Sequence, residues 1–369
     1  MSALYEVIAA RIDRHGPLSF DRYLELALYH PLGFYSAGGV AGRRGDFITS
    51  PEVGPLFGAV VARAIDACWD DLGQPQVFVI VECGAGPGTL ARAVLAAQPR
   101  CATALRYVMV ERSEAQRELH RSGLPLEAAI GAFPTAHGEE EPPDARGPIA
   151  VSLGELPREA VVGMVIANEL LDNLPFALCH RSEGRWLEVL VGVEGDHLVE
   201  VLVDAPQGHR ELAESLAPDA PDGARIPVQI GVWSWLADAL AVVERGRVMC
   251  IDYARYSDEM AADGTWLRTY RGHERGGHPL EAPGTQDITS DVAIDQLIRV
   301  KRPARVVSQA DWLREHGIDD LVAEGRAAWE AGAARGDLAA LRGRSRVREA
   351  EALLDPNGLG AFQVMEWHV

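Results

Sequence analysis

Basic charge is scarce in this chain of 369 residues, where 35 lysines and arginines stand against 54 aspartates and glutamates for a formal net charge of −19. Binding to a bare phosphate backbone depends on clustered cations that displace counterions, so no nucleic-acid partner is expected. The same acidity suits a basic protein partner, although a solubilising surface is its commoner use. Long apolar runs are also missing. None reaches the roughly 18 residues that could span a bilayer, and no membrane association is expected. The opening Met1-Ser-Ala-Leu-Tyr-Glu6 has neither the basic start nor the apolar core of a secretion signal. Cysteine is sparse: Cys68, Cys83, Cys101, Cys179 and Cys250 are odd in number and lack C-x-x-C spacing. They read as reduced core thiols in a cytoplasmic protein, with no disulfide frame and no metal site.

What is present is an ordinary 47% apolar composition in a chain longer than one usual domain, and the expectation is one α/β core with large additions. Its centre is Val77-Phe-Val-Ile-Val-Glu82-Cys-Gly84-Ala-Gly86-Pro-Gly88-Thr89-Leu90. The apolar run suits a strand buried on both faces of a parallel sheet, and the alternate glycines suit a tight turn that a ligand approaches closely before a helix begins. A dinucleotide fingerprint reads G-x-G-x-x-G, with its helix N-terminus aimed at a pyrophosphate. Here the spacing is G-x-G-x-G, and Glu82, two residues before the first glycine, repels phosphate and suits a cation. S-adenosylmethionine, with a sulfonium and an amino group, fits better than NAD.

Before this stretch, residues 1–30 carry two helical patterns separated by Gly16-Pro17, with Ser19 as N-cap of the second. Residues 31–52 are rich in glycine and read either as a ligand-covering loop or as plain surface. Ser50-Pro51-Glu52 starts a helix running through Phe57, Val60, Val61 and Ile65. After the glycine turn, the run Leu105-Arg-Tyr107-Val-Met-Val110 ends in Glu111, about 20 positions on, where an acidic residue accepts hydrogen bonds from ribose hydroxyls. Residues 132–149 read as an exposed loop.

The run Val161-Val-Gly-Met164-Val-Ile166-Ala167 takes the fourth-strand place in a doubly wound sheet and ends in Asn168-Glu169-Leu-Leu-Asp172-Asn173. Ligands sit beyond such strand ends. Glu169 and Asp172 are expected on one face of a short helical turn, either as a clamp for a cationic guanidinium or as a capping or solvated pair. A hairpin follows over 186–203, then a helix through Trp233 and Val243, a strand ending in Asp252 and a polar lid or substrate wall over 264–290. A short strand at 305–309, a helical stretch over 326–354 and a terminal strand over 360–367 close the chain.

The motifs Gly45-Asp46-Phe47-Ile48-Thr49-Ser50-Pro51-Glu52, Glu82-Cys-Gly84-Ala-Gly86-Pro-Gly88, Asn168-Glu169-Leu-Leu-Asp172-Asn-Leu-Pro175, Ile251-Asp252-Tyr253, Asp287-Ile288-Thr289 and Gly360-Ala-Phe362-Gln-Val364 together resemble, in order and spacing, the MidA-like S-adenosylmethionine-dependent methyltransferases. That family includes the mitochondrial arginine methyltransferase that assists assembly of respiratory complex I. The resemblance covers nearly the whole chain and implies an α/β fold: a class I (Rossmann-like, seven-stranded) methyltransferase sheet with an N-terminal helical cap and insertions after the fourth and fifth strands. The corresponding segments are 1–72 for the cap and cofactor-covering loop, 73–175 for the first part of the core, 176–245 for the hairpin and helical insertion, and 246–369 for the remaining core with its lid.

The resemblance further implies that Glu82, Gly84, Gly86 and Gly88 line the methionine end of S-adenosylmethionine and Glu111 its ribose. Asp46, Thr49, Ser50 and Pro51 belong to the covering loop. Asn168, Glu169 and Asp172 border cofactor and acceptor, with Glu169 and Asp172 in the catalytic role. Pro87, Asn173 and Ser290-Asp291 depart from the family pattern, which usually has a basic or other residue, an alanine and a histidine there. The expected activity is methyl transfer to a nitrogen, an arginine guanidinium of a partner protein, with S-adenosylhomocysteine as product. Two alternatives stay open: a cofactor-binding assembly factor or chaperone acting through partner binding, and a small-molecule methyltransferase. The oligomeric state is open.

Overall fold

The computed structural model describes residues 2–36, 49–133, 146–272, 274–332 and 338–369. The chain forms two compact units: Met1–Phe47, Leu170–Ala237 and Asp252–Arg302 make the first, and Ile48–Glu169, Asp238–Ile251 and Pro303–Val369 the second. The segments 1–72, 73–175, 176–245 and 246–369 cut across this division, because each unit draws on three separate stretches.

The second unit is built on a sheet of seven strands: β1 (Phe78–Cys83), β2 (Leu105–Val110), β3 (Ile149–Leu153), β4 (Val161–Asn168), β5 (Val243–Asp252), β6 (Arg305–Ser308) and β7 (Gln363–His368), in the spatial order β6-β7-β5-β4-β1-β2-β3. β5, β4, β1, β2 and β3 run parallel, while β6 is antiparallel to β7. Every residue of β1 and β2 is buried, as continuous apolar runs covered on both faces require. The helix Pro55–Asp71 buries Val60, Val61 and Ile65 completely, each contributing about 1.5–3 kcal/mol. Gly58 lets it approach the helix Thr89–Ala96 closely, since a Cβ there would stand 2.3 Å from that of Ala93.

In the first unit, the helices Ala3–His15 and Phe20–Tyr29 bury Leu4, Ile8, Phe20, Tyr23 and Leu24 against Phe176, Val189, Val191 and Trp266. The strand Arg185–Glu194 pairs with His197–Asp204 across a turn containing Gly195, and also with Ala177–Ser182 and Leu18–Ser19. A smaller sheet joins Glu274–Arg275, Leu267–Arg271 and Asp287–Ser290.

Three local expectations change. The helix at Ser50 does not run on to Ile65: Ser50–Val53 is a single turn, Gly54 breaks it, and Pro55 opens the long helix. β3 arises inside and just beyond the stretch read as loop. Glu169 and Asp172 do not share a helical turn, because Glu169 takes a left-handed φ of 52° and the 3-10 turn begins only at Leu171. Among the described residues, no helix is long and apolar enough to cross a membrane.

Candidate functional site

β1 ends where the amides of Gly84 and Ala85 both donate to the Val110 carbonyl, at 2.9 and 3.1 Å, tying the turn to the end of β2. Gly84, Gly86 and Gly88 take φ values of 69°, 51° and 79°, a conformation that costs an L-residue roughly 1–2 kcal/mol. This is the physical reason for the alternate glycines. Among the described residues, a Cβ on Gly86 would meet nothing within 4 Å, whereas one on Gly88 would come within 3.1 Å of His120 and 3.2 Å of Met109. The turn is therefore open to a ligand at Gly86 and closed at Gly88.

Glu111 stands at the end of β2 and accepts from the Gly86 amide on Oε2 at 2.9 Å and from the Ser113 amide on Oε1 at 2.7 Å. Burial raises its pKa, and these backbone donors oppose the shift. A half-buried carboxylate with lone pairs to spare suits ribose hydroxyls. Glu82 is less open than its motif suggests. It is 5% exposed and accepts from the Tyr107 hydroxyl at 2.8 Å. Burial pushes its pKa up to about 8, against the opposing Tyr107 hydrogen bond, the nearby Arg92 charge and the Ala91 amide. Glu82 thus braces the first turn of the following helix.

At the end of β4, the Glu169 amide donates to the Ile251 carbonyl at 2.8 Å. Its Oε1 accepts from the Ser50 amide at 2.9 Å and from Asn168 Nδ2 at 3.1 Å. Ser50 is fully buried, and its hydroxyl donates to Gln309 Oε1 at 3.1 Å. Pro51 occupies the first turn of Ser50–Val53, with Thr49 as N-cap. Thr49, Ser50, Pro51, Asn168 and Glu169 thus belong to one local arrangement, in which a backbone outlier is held by several partners. Asn168 Oδ1 is buried without a donor among the described residues. That orphaned acceptor and the open side of Gly86 are what a ligand with a cationic donor and a close backbone approach would fill. Asp46 lies outside the described residues.

Asp172 belongs to the first unit, 5% exposed, and its Oδ1 has no partner among the described residues. Asp252 is fully buried and accepts the Leu171 and Asp172 amides at 2.9 and 3.2 Å. Asp287 accepts from the Tyr35 hydroxyl at 3.0 Å and from Asn173 Nδ2 at 3.1 Å. Asp291 pairs with Arg255 and Arg268, each at 2.5 Å. Burial first, then the charges of Asp252 and Asp287, hold the Asp172 carboxyl well above the usual carboxylate range, with Arg268 opposing. The departures Asn173 and Asp291 are both engaged in this cluster.

Sequence reasoning missed His120, Tyr107, Arg92 and Gln309. His120 is fully buried, with Nε2 2.7 Å from the Gly86 carbonyl and Nδ1 2.9 Å from Ser152 Oγ. Its only signal in the sequence is a histidine two turns into the helix that starts after Ser113.

A family model described as "Putative S-adenosyl-L-methionine-dependent methyltransferase" matches residues 60–310. The protein arginine methyltransferase NDUFAF7 of Danio rerio mitochondria is 26% identical, with 85% of this chain and 76% of the relative covered. Its Homo sapiens counterpart is 27% identical, with 84% and 72% covered. A crystal structure from Burkholderia thailandensis bound to S-adenosyl-homocysteine superposes with a TM-score of 0.81 at 26% identity, covering 100% of this chain and 92% of that one.

Proposed function

The chain belongs to this family of S-adenosyl-L-methionine-dependent methyltransferases, and from that premise we propose that its methyl acceptor is an arginine guanidinium of a partner protein. The cofactor is S-adenosylmethionine. When bound, it would supply a sulfonium methyl whose carbon an acceptor nitrogen attacks in line, the N–C bond forming as the C–S bond breaks, with S-adenosylhomocysteine as the leaving group and one proton lost from the nitrogen. The work left to the protein is positioning, together with placing charge near the acceptor.

In this reading the glycine turn and Glu111 hold the cofactor, and Asn168, Glu169, Thr49, Ser50 and Pro51 order its surroundings. Glu169 keeps the Ser50 amide in place. The order of the seven strands, and the departure of the chain from the sheet after β4 and after β5, support a class I sheet with an N-terminal helical cap and two insertions. The five free, buried cysteines suit a reducing compartment.

The observation that carries the acceptor assignment is Asp172, a carboxyl almost wholly buried among three further aspartates with one oxygen unpartnered among the described residues. A guanidinium would satisfy that oxygen by a charge-assisted hydrogen bond and offset the local negative charge. The names of the relatives as protein arginine methyltransferases point the same way.

The test is mass spectrometry of methylarginine in cells with and without the gene, followed by kinetics on the protein it identifies. Asp172→Asn is expected to lower kcat/KM about ten- to a hundredfold, the equivalent of a lost hydrogen bond to a charged group, with S-adenosylhomocysteine affinity unchanged. Because Asp172 holds its proton well above the usual range, guanidinium binding should strengthen as pH rises and release a proton. Loss of no methylarginine, or full activity in Asp172→Asn, would refute the assignment.

A further inference from the structure

We propose that His120 is a positioning residue for the cofactor, acting by holding the Gly86–Pro87 peptide while Glu111 holds the Ala85–Gly86 peptide. The Gly86 carbonyl can only accept, so the 2.7 Å contact requires His120 Nε2 to carry the hydrogen. Burial favours the neutral ring, in which Nδ1 is then the acceptor and the Ser152 hydroxyl at 2.9 Å its donor. The Gly86 amide donates to Glu111 Oε2 at 2.9 Å. The two peptide groups that flank the Gly86 Cα are thus each fastened by a side chain remote in sequence, the Gly86–Pro87 group by His120 on Glu114–Gly123 and the Ala85–Gly86 group by Glu111 after β2. The next carbonyl, of Pro87, accepts from Arg92 Nη1 at 2.5 Å.

The consequence follows from what glycine costs. Three alternate left-handed glycines have broad conformational freedom in isolation, so the turn keeps one shape only if its peptide groups are held from outside. Removing His120 leaves the Gly86 carbonyl without this donor. The Gly86–Pro87 peptide would be free to turn, and with the glycine's φ and ψ no longer held, the amide on the other side of its Cα would lose its fixed direction toward Glu111. Glu111 would then lose a donor that orients its carboxylate. Nothing in the sequence pattern of the turn points to a residue 34 positions away.

The inference rests on the reading that the turn and Glu111 hold S-adenosylmethionine, which Gly86→Val tests separately. Calorimetric titration of the purified full chain with S-adenosylhomocysteine is expected to show Kd raised about tenfold or more in His120→Ala. His120→Gln, whose amide can also donate to the Gly86 carbonyl, should return Kd to within about threefold of wild type. A merely structural role would lower the thermal midpoint in both variants and leave Kd of the folded protein unmoved, and that result overturns the proposal. If Gly86→Val abolishes binding and folded His120→Ala does not, His120 alone is misassigned; if Gly86→Val binds normally, the assignment of the turn fails. Should His120→Ala not fold, nitrogen-15 spectra of the wild-type histidines decide. An Nε2-protonated tautomer whose resonance moves on addition of S-adenosylhomocysteine supports the proposal, and an Nδ1-protonated tautomer, or no movement at saturation, overturns it.

Discussion

Glu82 makes the cofactor turn sensitive to pH before any ligand binds. Its folded pKa of about 8, against an ordinary value of 4.5, means that the folded protein keeps a proton which the unfolded chain releases. Stability should therefore fall as pH rises between about 4.5 and 8, since the unfolded state binds fewer protons across that window. At 1.36 kcal/mol per pKa unit the whole effect is on the order of 5 kcal/mol. Urea unfolding of the ligand-free protein at pH 6 and pH 8.5 is expected to show about 2–3 kcal/mol of that loss, and Glu82→Gln should flatten it; an equal change in both proteins would refute the account. The glycines and Glu82 were legible because the motif keeps them close along the chain, and Glu111 because it ends the next apolar run about 20 positions on. Tyr107 and His120 were not, because their partnerships depend on strand register and helix phase: Tyr107 lies on β2 opposite Ile80, one diagonal step from Glu82. The acidic pair was legible as chemistry but not as geometry, because the left-handed backbone at Glu169 carries no signature in its residue type.

At the level of elements, the strands were read from their apolar runs, and their buried patterns explain why. β3 escaped because Ile149-Ala-Val-Ser-Leu153 is short and adjoins a stretch rich in proline and glutamate. The break between Ser50–Val53 and Pro55–Asp71 escaped for another reason. The amide of Leu56, orphaned at the start of the long helix, is satisfied by Glu349 Oε2 at 2.9 Å, while Ser345 donates to Oε1 at 2.6 Å. A side chain 293 positions away thus does what an N-cap does locally. Glu349 is 3% exposed, and a Cβ on Gly54 would stand 2.3 Å from its carboxyl carbon. Glu349→Ala is expected to destabilise the protein by about 1–3 kcal/mol, as an emptied cap and an unsatisfied buried donor should. Gly54→Ala should also destabilise it by displacing that carboxylate. Thermal unfolding midpoints check both, and an unchanged midpoint in Glu349→Ala would show that the helix start is satisfied in another way.

At the scale of the molecule, the described residues assigned to the cofactor collect in one unit although the chain divides its length between two. Thr49, Ser50, Pro51, Glu82, the three glycines, Glu111, Asn168 and Glu169 all lie within Ile48–Glu169. A ligand that binds only the folded state stabilises it by RT ln(1 + [L]/Kd), about 2.7 kcal/mol at a hundred times Kd. The effect on amide exchange should be largest where the bound ligand fixes the hydrogen-bonded backbone. The amides of Gly84, Ala85, Gly86 and Gly88 are bonded within the turn or to the end of β2, and that of Ser113 to Glu111. Hydrogen–deuterium exchange with saturating S-adenosylhomocysteine is therefore expected to slow exchange most over residues 84–88 and 111–113. Gly86→Val should lose that protection because a β-branched side chain at φ 51° is strained and projects into the open side of the turn. Strong protection elsewhere in the chain, with none at the turn, would place the cofactor at another site and remove the premise on which His120 and Glu111 are assigned.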